Sequence, residues 1–142
     1  MSWFSKKTVV VPVDFSDDSF EAVELVLSLL DDPSRLHVVH VLQDVAAGQP
    51  GMLFSVLEEA ERRDQARKAL VERFSDSKYS GVAIHVSFGD PGQVVAEFAT
   101  QIEAELIVLP SHGRSGVKRL LIGSVAERIT RLAHCPVLIL RR

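Results

Sequence analysis

Short runs of β-branched and aliphatic residues alternate with longer stretches of helical periodicity along the whole chain, and that alternation leaves few folds open. TVVVPV (8–13), RLHVVHVL (35–42), GVAIHVSF (81–88), ELIVLP (105–110) and PVLILR (136–141) read as strands. The first, fourth and fifth are apolar at consecutive positions, as expected for strands covered on both faces. Such strands alternating with helices predict an α/β fold: an open parallel sheet of five strands with helices on both faces, joined by right-handed crossovers. A length of 142 residues suits one domain, 1–142, with a sizeable core.

Four helices fill the gaps. Residues 17–30 place Phe20, Val23, Leu27 and Leu30 on one apolar face. Residues 53–74 carry Leu53, Leu57, Ala60, Ala66, Leu70 and Phe74, with Glu58/Arg62 and Glu59/Arg63 spaced for i,i+4 pairs on an exposed side. In GDPGQVVAEFA, Asp90 is the expected N-cap and Pro91 the first helical residue. The last helix is expected to bury Val125, Ile129 and Leu132, and to end at His134–Pro136. Residues 43–52 read as the one long loop.

Composition narrows the function classes. A net charge of −3 argues against broad nucleic-acid binding, so any basic site must be local. The N-terminal lysines precede an apolar run that Pro12 and Asp14 interrupt, which favours a first strand over a signal peptide. No stretch approaches the ~18 apolar residues of a membrane span. The single Cys135 excludes an internal disulfide and a cysteine-rich metal site, and a reducing cytoplasm is the simplest compartment. His37 and His40 are an odd number apart on a strand, so they face opposite ways and cannot easily share a metal. His85 reads as a strand residue with a satisfied ring. The G-x-x-x-x-G-K-[ST], G-x-G-x-x-G and G-x-S-x-G signatures are all missing, and no catalytic residue stands out.

In open α/β sheets ligands bind beyond the carboxyl ends of the strands, where strand order reverses. The segment LPSHGRSGVKRLLIGSV (109–125) follows the fourth strand and concentrates Arg114, Lys118 and Arg119 among glycines. Gly113 and Gly116 permit close backbone approach, and Gly123-Ser124 opens a helix whose free N–H groups suit an anion. A solvated loop before a capped helix explains the same residues. Asp14 is equally open to two readings: an acceptor for a ribose or base, or a cap for the turn after the first strand.

VVVPVDFSDDSFEAVELVLSL, LHVVHV, GDPGQVVAEFA and especially SHGRSGVKRLLIGSVAERITRLAHCPVLIL resemble the universal stress protein family over essentially the whole chain. The resemblance implies strand order 3-2-1-4-5, a Rossmann-like arrangement with strands one and four adjacent at the switch point. Many members bind ATP through G-x2-G-x9-G-[S/T]. Gly113, nine residues and Gly123-Ser124 match its second half, whereas Pro110 replaces the first glycine and supplies no amide donor.

By resemblance, ATP, with Mg as its counter-ion, would meet Pro12, Val13 and Asp14 at the adenine and ribose, and Val41 at the adenine. Leu109 and Pro110 would line the end of strand four. His112, Gly113, Gly123, Ser124, Val125 and Ala126 would surround the ribose and phosphates. The implied function is a nucleotide-binding regulator of the stress response with at most slow ATP hydrolysis. The alternative is a dimeric adaptor of the same family that binds no nucleotide, with Pro110 marking the loss. The resemblance also implies a homodimer formed through the last strand, Pro136–Leu140, with no nucleic-acid or membrane partner. Coverage of that edge by the chain's own helix or loop is the other reading.

Overall fold

The computed structural model describes residues 2–43, 52–111 and 122–141. In chain order the elements are α1 (Ser2–Ser5), β1 (Val9–Pro12), α2 (Asp17–Leu29), β2 (Leu36–Leu42), α3 (Met52–Arg73), β3 (Ala83–Phe88), α4 (Pro91–Gln101), β4 (Leu106–Pro110), α5 (Ser124–Leu132) and β5 (Val137–Leu140). Short 3-10 turns at Pro33–Arg35 and Ser77–Tyr79 lead into β2 and towards β3. The strands are all parallel and lie in the order β3-β2-β1-β4-β5, as the resemblance implied.

Consecutive apolar residues in the central strands divide between two layers. Val9 and Val11 point into a core with Phe20, Val23 and Val26 of α2 and Leu70 of α3. Val10 points the other way, with Ile107, Leu109, Val95 and Ala99 of α4, and Ala126 and Ile129 of α5. Val9, Val10 and Val11 are each wholly buried. Burying a side chain of this size contributes about 1.5–3 kcal/mol, which is why a four-residue strand can anchor both layers.

The helix entries are locally encoded. Ser16 caps α2 by accepting from the Ser19 N–H, and Asp17 and Asp18 lie in its first turn, where carboxylates favour the positive end of the helix. Asp90 caps α4 by accepting from the Gln93 N–H at 3.0 Å, with Pro91 next. Asp32 caps the turn before β2 through the Ser34 N–H, and Asp31 pairs with Arg35 at 3.1 Å.

Three expectations are corrected. The buried face of α5 is Ala126 and Ile129, while Val125 and Leu132 are exposed. The helix is turned so that Ala126 and Ile129 face the second core layer, which leaves Val125 and Leu132 at its margin. On α3, Leu70 and the following Phe74 are buried, whereas Leu57 and Ala60 are exposed. Leu57 and Ala60 therefore do not press onto the sheet. The expected Glu58/Arg62 and Glu59/Arg63 pairs give way to cation–π contacts: the Arg62 and Arg63 guanidinium groups lie 5.6 and 5.0 Å from the Phe88 ring centre. The short helix α1 is an addition. It buries Phe4 against the first core and leaves Trp3 exposed under the Lys7 ammonium.

Gly92 sets how closely α4 and α5 approach. A Cβ at this buried position would lie 2.7 Å from Cβ and Cγ of Arg128, whose guanidinium pairs with Asp90 at 2.8 Å. Gly92→Val is therefore expected to destabilise the fold by about 1–3 kcal/mol through overpacking. Urea unfolding checks this, and an unchanged midpoint contradicts the close approach.

Candidate functional site

The central pair of strands parts early. β1 and β4 are in register only at Val9↔Leu106 and Val10↔Ile107. Beyond that β1 continues beside β2 to Pro12↔Val39, and β4 continues beside β5 to Pro110↔Leu140. The carboxyl ends of β1 and β4 thus diverge at the point where strand order reverses, which is where a ligand crevice forms in such sheets.

On the β1 side the chain turns sharply. Asp14 Oδ1 accepts from the Ser16 N–H at 3.0 Å and from the Ser16 hydroxyl, an Asx turn that holds the carboxylate beside the helix entry. The Asp14 N–H faces the Ser19 hydroxyl at 3.4 Å, and that hydroxyl donates to the Ser16 carbonyl at 2.8 Å. Asp14 therefore does cap its turn, while standing half-buried at the end of the strand. Between them Phe15 takes the left-handed conformation, φ 64°, unusual for a bulky residue.

On the β4 side, Pro110 ends the strand in extended register, and the ladder resumes at once with the Ser111 N–H donating to the Leu140 carbonyl at 2.9 Å. Ser111 is buried, and its carbonyl accepts from the Gly123 N–H at 2.6 Å. That bond ties the start of α5 to the end of β4. Gly123 is the N-cap and makes no side-chain cap. The first intrahelical bond runs from the Glu127 N–H to the Gly123 carbonyl. The N–H groups of Ser124, Val125 and Ala126 accordingly have no acceptor within the helix. α2 and α4 differ, each having a side-chain cap from Ser16 or Asp90.

These positions bring most of the expected residues to one end of the sheet. Pro12, Val13 and Asp14 stand at the end of β1, Val41 one residue before the end of β2, Leu109 and Pro110 at the end of β4, and Gly123 to Ala126 at the entry of α5. Their side chains are not equally available. Val13 is core on the α2 and α3 side, while Leu109 and Ala126 are core on the other, so these three offer a ligand chiefly their backbone. Val41 is half-buried and Val125 exposed. His112 and Gly113 lie outside the described residues.

Sequence reasoning missed two contributors. The carbonyl of Ser111 fixes α5, and the His40 ring nitrogen Nδ1 stands 2.7 Å from the Val13 carbonyl. A serine directly after a strand and a histidine near a strand end carry no motif that would single them out. From the sequence, His40 enters only through its spacing from His37.

The other histidines form a separate pair. His37 Nδ1 and His85 Nε2 are 3.3 Å apart across β2 and β3, and both rings meet Phe98 of α4. The rings are within 17° of parallel with centroids 5.5 Å apart. One ring nitrogen can donate to the other, the roles being set by the tautomers. Burial holds the pKa of His37 below its usual value. Burial, then His37 and Arg67, do the same for His85. In both cases the fold favours the neutral ring. Their contribution to stability is complete above the unfolded value of about 6.5 and is lost as pH falls through the lower folded values. The urea midpoint should fall on going from neutral pH into this window, and fall less in His37→Gln/His85→Gln; equal falls in the two proteins contradict the assignment.

Comparison with known proteins follows the same lines. The universal stress protein family model matches residues 6–141. The chain belongs to the universal stress protein family. Universal stress protein MJ0531 of Methanocaldococcus jannaschii is 33% identical over 96% of this chain and 82% of its own length. Universal stress protein YxiE of Bacillus subtilis is 26% identical over 94% and 97%. Among solved structures, universal stress protein UspA from Lactobacillus plantarum superposes with a TM-score of 0.74 at 26% identity, covering 94% of this chain and 96% of that one. A universal stress protein solved in complex with cAMP superposes with a TM-score of 0.58 at 25% identity, covering 94% and 95%. Among the described residues, no helix of this universal stress protein is long and apolar enough to cross a membrane.

Proposed function

We propose that this universal stress protein is a cytoplasmic nucleotide-binding regulator that holds ATP at the carboxyl ends of β1 and β4. The observation that carries the reading is the uncapped start of α5 beside the parting strands. Three consecutive N–H groups at the positive end of a helix form a site for a phosphate, and the Ser124 hydroxyl adds a donor of its own. Asp14, fixed by Ser16, would accept from the ribose, and the half-buried Val41 would meet the adenine. Mg would accompany the phosphates as counter-ion. Pro110 removes a donor from the motif, but the amides of Ser124 to Ala126 do not depend on it. Nucleotide occupancy would act by biasing contacts between protomers.

Calorimetric titration with Mg-ATP, AMP and cAMP tests the reading. Saturable binding of about one nucleotide per chain is expected. No binding to well-folded protein would favour the adaptor reading instead.

A homodimer through β5 belongs to the same proposal. β5 is an edge of the sheet, and Leu138 on it is 40% exposed. Val125 and Leu132 on α5, the helix leading into it, are exposed as well. An apolar edge of this kind is normally paired or covered. Leu138→Lys is expected to convert the dimer to monomer in sedimentation analysis, and a variant that sediments as wild type contradicts pairing at this edge.

A further inference from the structure

The carboxyl end of β1 is held by a side chain rather than by the sheet alone. The β1–β2 register ends at Pro12↔Val39, and the Val13 N–H makes one further bond, to the Val39 carbonyl at 2.8 Å. The Val13 carbonyl lies 2.7 Å from Nδ1 of His40. A carbonyl can only accept, so Nδ1 carries the proton and donates. The same imidazole meets the Phe15 ring edge to face, with centroids 4.8 Å apart, and Phe15 also packs on Phe20 at 6.0 Å. His40 thus grips both residues that flank Asp14, the carbonyl on one side and the left-handed Phe15 on the other.

We propose that His40 is a positioning residue of the nucleotide site: its Nδ1–H locks the Val13–Phe15 turn so that Asp14 is presented at the crevice between β1 and β4. The proposal rests on the nucleotide reading above. An Asx turn orders Asp14 relative to Ser16, but it does not order the turn relative to the sheet. Phe15 has a backbone conformation that bulky residues rarely adopt, and it persists only where its surroundings impose it. The His40 ring is one part of those surroundings, and its Nδ1–H ties the turn to the strand next to β1. Without the donor, the Val13 carbonyl has to find another partner and the turn is free to relax about Asp14.

The test compares His40→Leu, which removes the donor, with His40→Asn, whose side-chain amide nitrogen can take the place of Nδ1 and still donate. Three measurements are made on the full chain: Mg-ATP affinity, urea unfolding, and amide hydrogen exchange at Asp14 to Ser16 without nucleotide. His40→Leu is expected to lose about tenfold or more in affinity and to exchange faster at the turn. His40→Asn is expected to bind within about threefold of wild type with near-native exchange, even where its urea midpoint falls. A purely structural role would make affinity follow the urea midpoint in both variants. Wild-type affinity in His40→Leu, or an equal loss in His40→Asn, overturns the positioning role while leaving the nucleotide reading intact. Failure of the wild-type protein to bind Mg-ATP sinks the nucleotide reading itself, and the role assigned to His40 with it.

Discussion

Gly123→Val is expected to lower the affinity for Mg-ATP about a hundredfold or more, beyond the range of calorimetric detection, while the protein remains folded. The loss follows from position. Residue 123 is the N-cap of α5, and a side chain there would stand at the helix start, beside the N–H groups of Ser124, Val125 and Ala126 that are proposed to receive the phosphates. A branched side chain there obstructs the anion and offers no oxygen in exchange. Folding should survive because φ −69° and ψ 164° at Gly123 are extended values open to any residue. Replacing a glycine cap by a non-capping residue costs about 1 kcal/mol or less. Titration and circular dichroism on the same preparation check both halves of the expectation. Undiminished affinity would remove α5 from the site.

The largest effect on stability is expected at Ile107. It is wholly buried in β4, between β1 and β5, and packs in the layer that holds α4 and α5 on the sheet. Ile107→Ala should cost about 2–5 kcal/mol, the range for emptying a core position that cannot collapse. Backbone bonds from both neighbouring strands limit such collapse. β4 is in register with β1 at Val10↔Ile107 and with β5 at Ile107↔Val137. Urea unfolding gives the value, and a cost well under 1 kcal/mol would mean that the layer repacks. Since Leu109 and Pro110 continue the same strand, an intact but loosened variant should also bind nucleotide more weakly.

Strand identity was legible because a doubly covered strand must be apolar at consecutive positions, and VVV in β1 and LIVL in β4 are wholly or almost wholly buried. Helix starts were legible where one side chain decides them, as at Asp90 and at the Ser16-Asp17 entry. Helix faces were less so. Val125, Ile129 and Leu132 fit a helical stripe as well as Ala126 and Ile129 do, and periodicity alone does not fix how the helix is turned about its axis against the core layer. Long-range polar contacts left no local trace: Arg62 and Arg63 turn to Phe88 rather than to the glutamates one turn away.

The site divides in the same way. Its backbone parts, the end of β1 and the entry of α5, follow from the alternation and from Gly123-Ser124. The two readings of Asp14 were never exclusive, since the Asx turn with Ser16 also fixes the carboxylate in place. The tethers from His40 to Val13 and from Ser111 to Gly123 join residues that only the folded chain brings together.

The central claim is that nucleotide binds where β1 and β4 part. Its most direct test is an amide chemical-shift map of isotopically labelled protein during titration with Mg-ATP. The account predicts saturable shifts concentrated at Val13 and Asp14, at Val41, and at Gly123 to Ala126, with β3 and the α2 surface unmoved. A titration with no shifts, or with shifts confined to another face of the sheet, would contradict it.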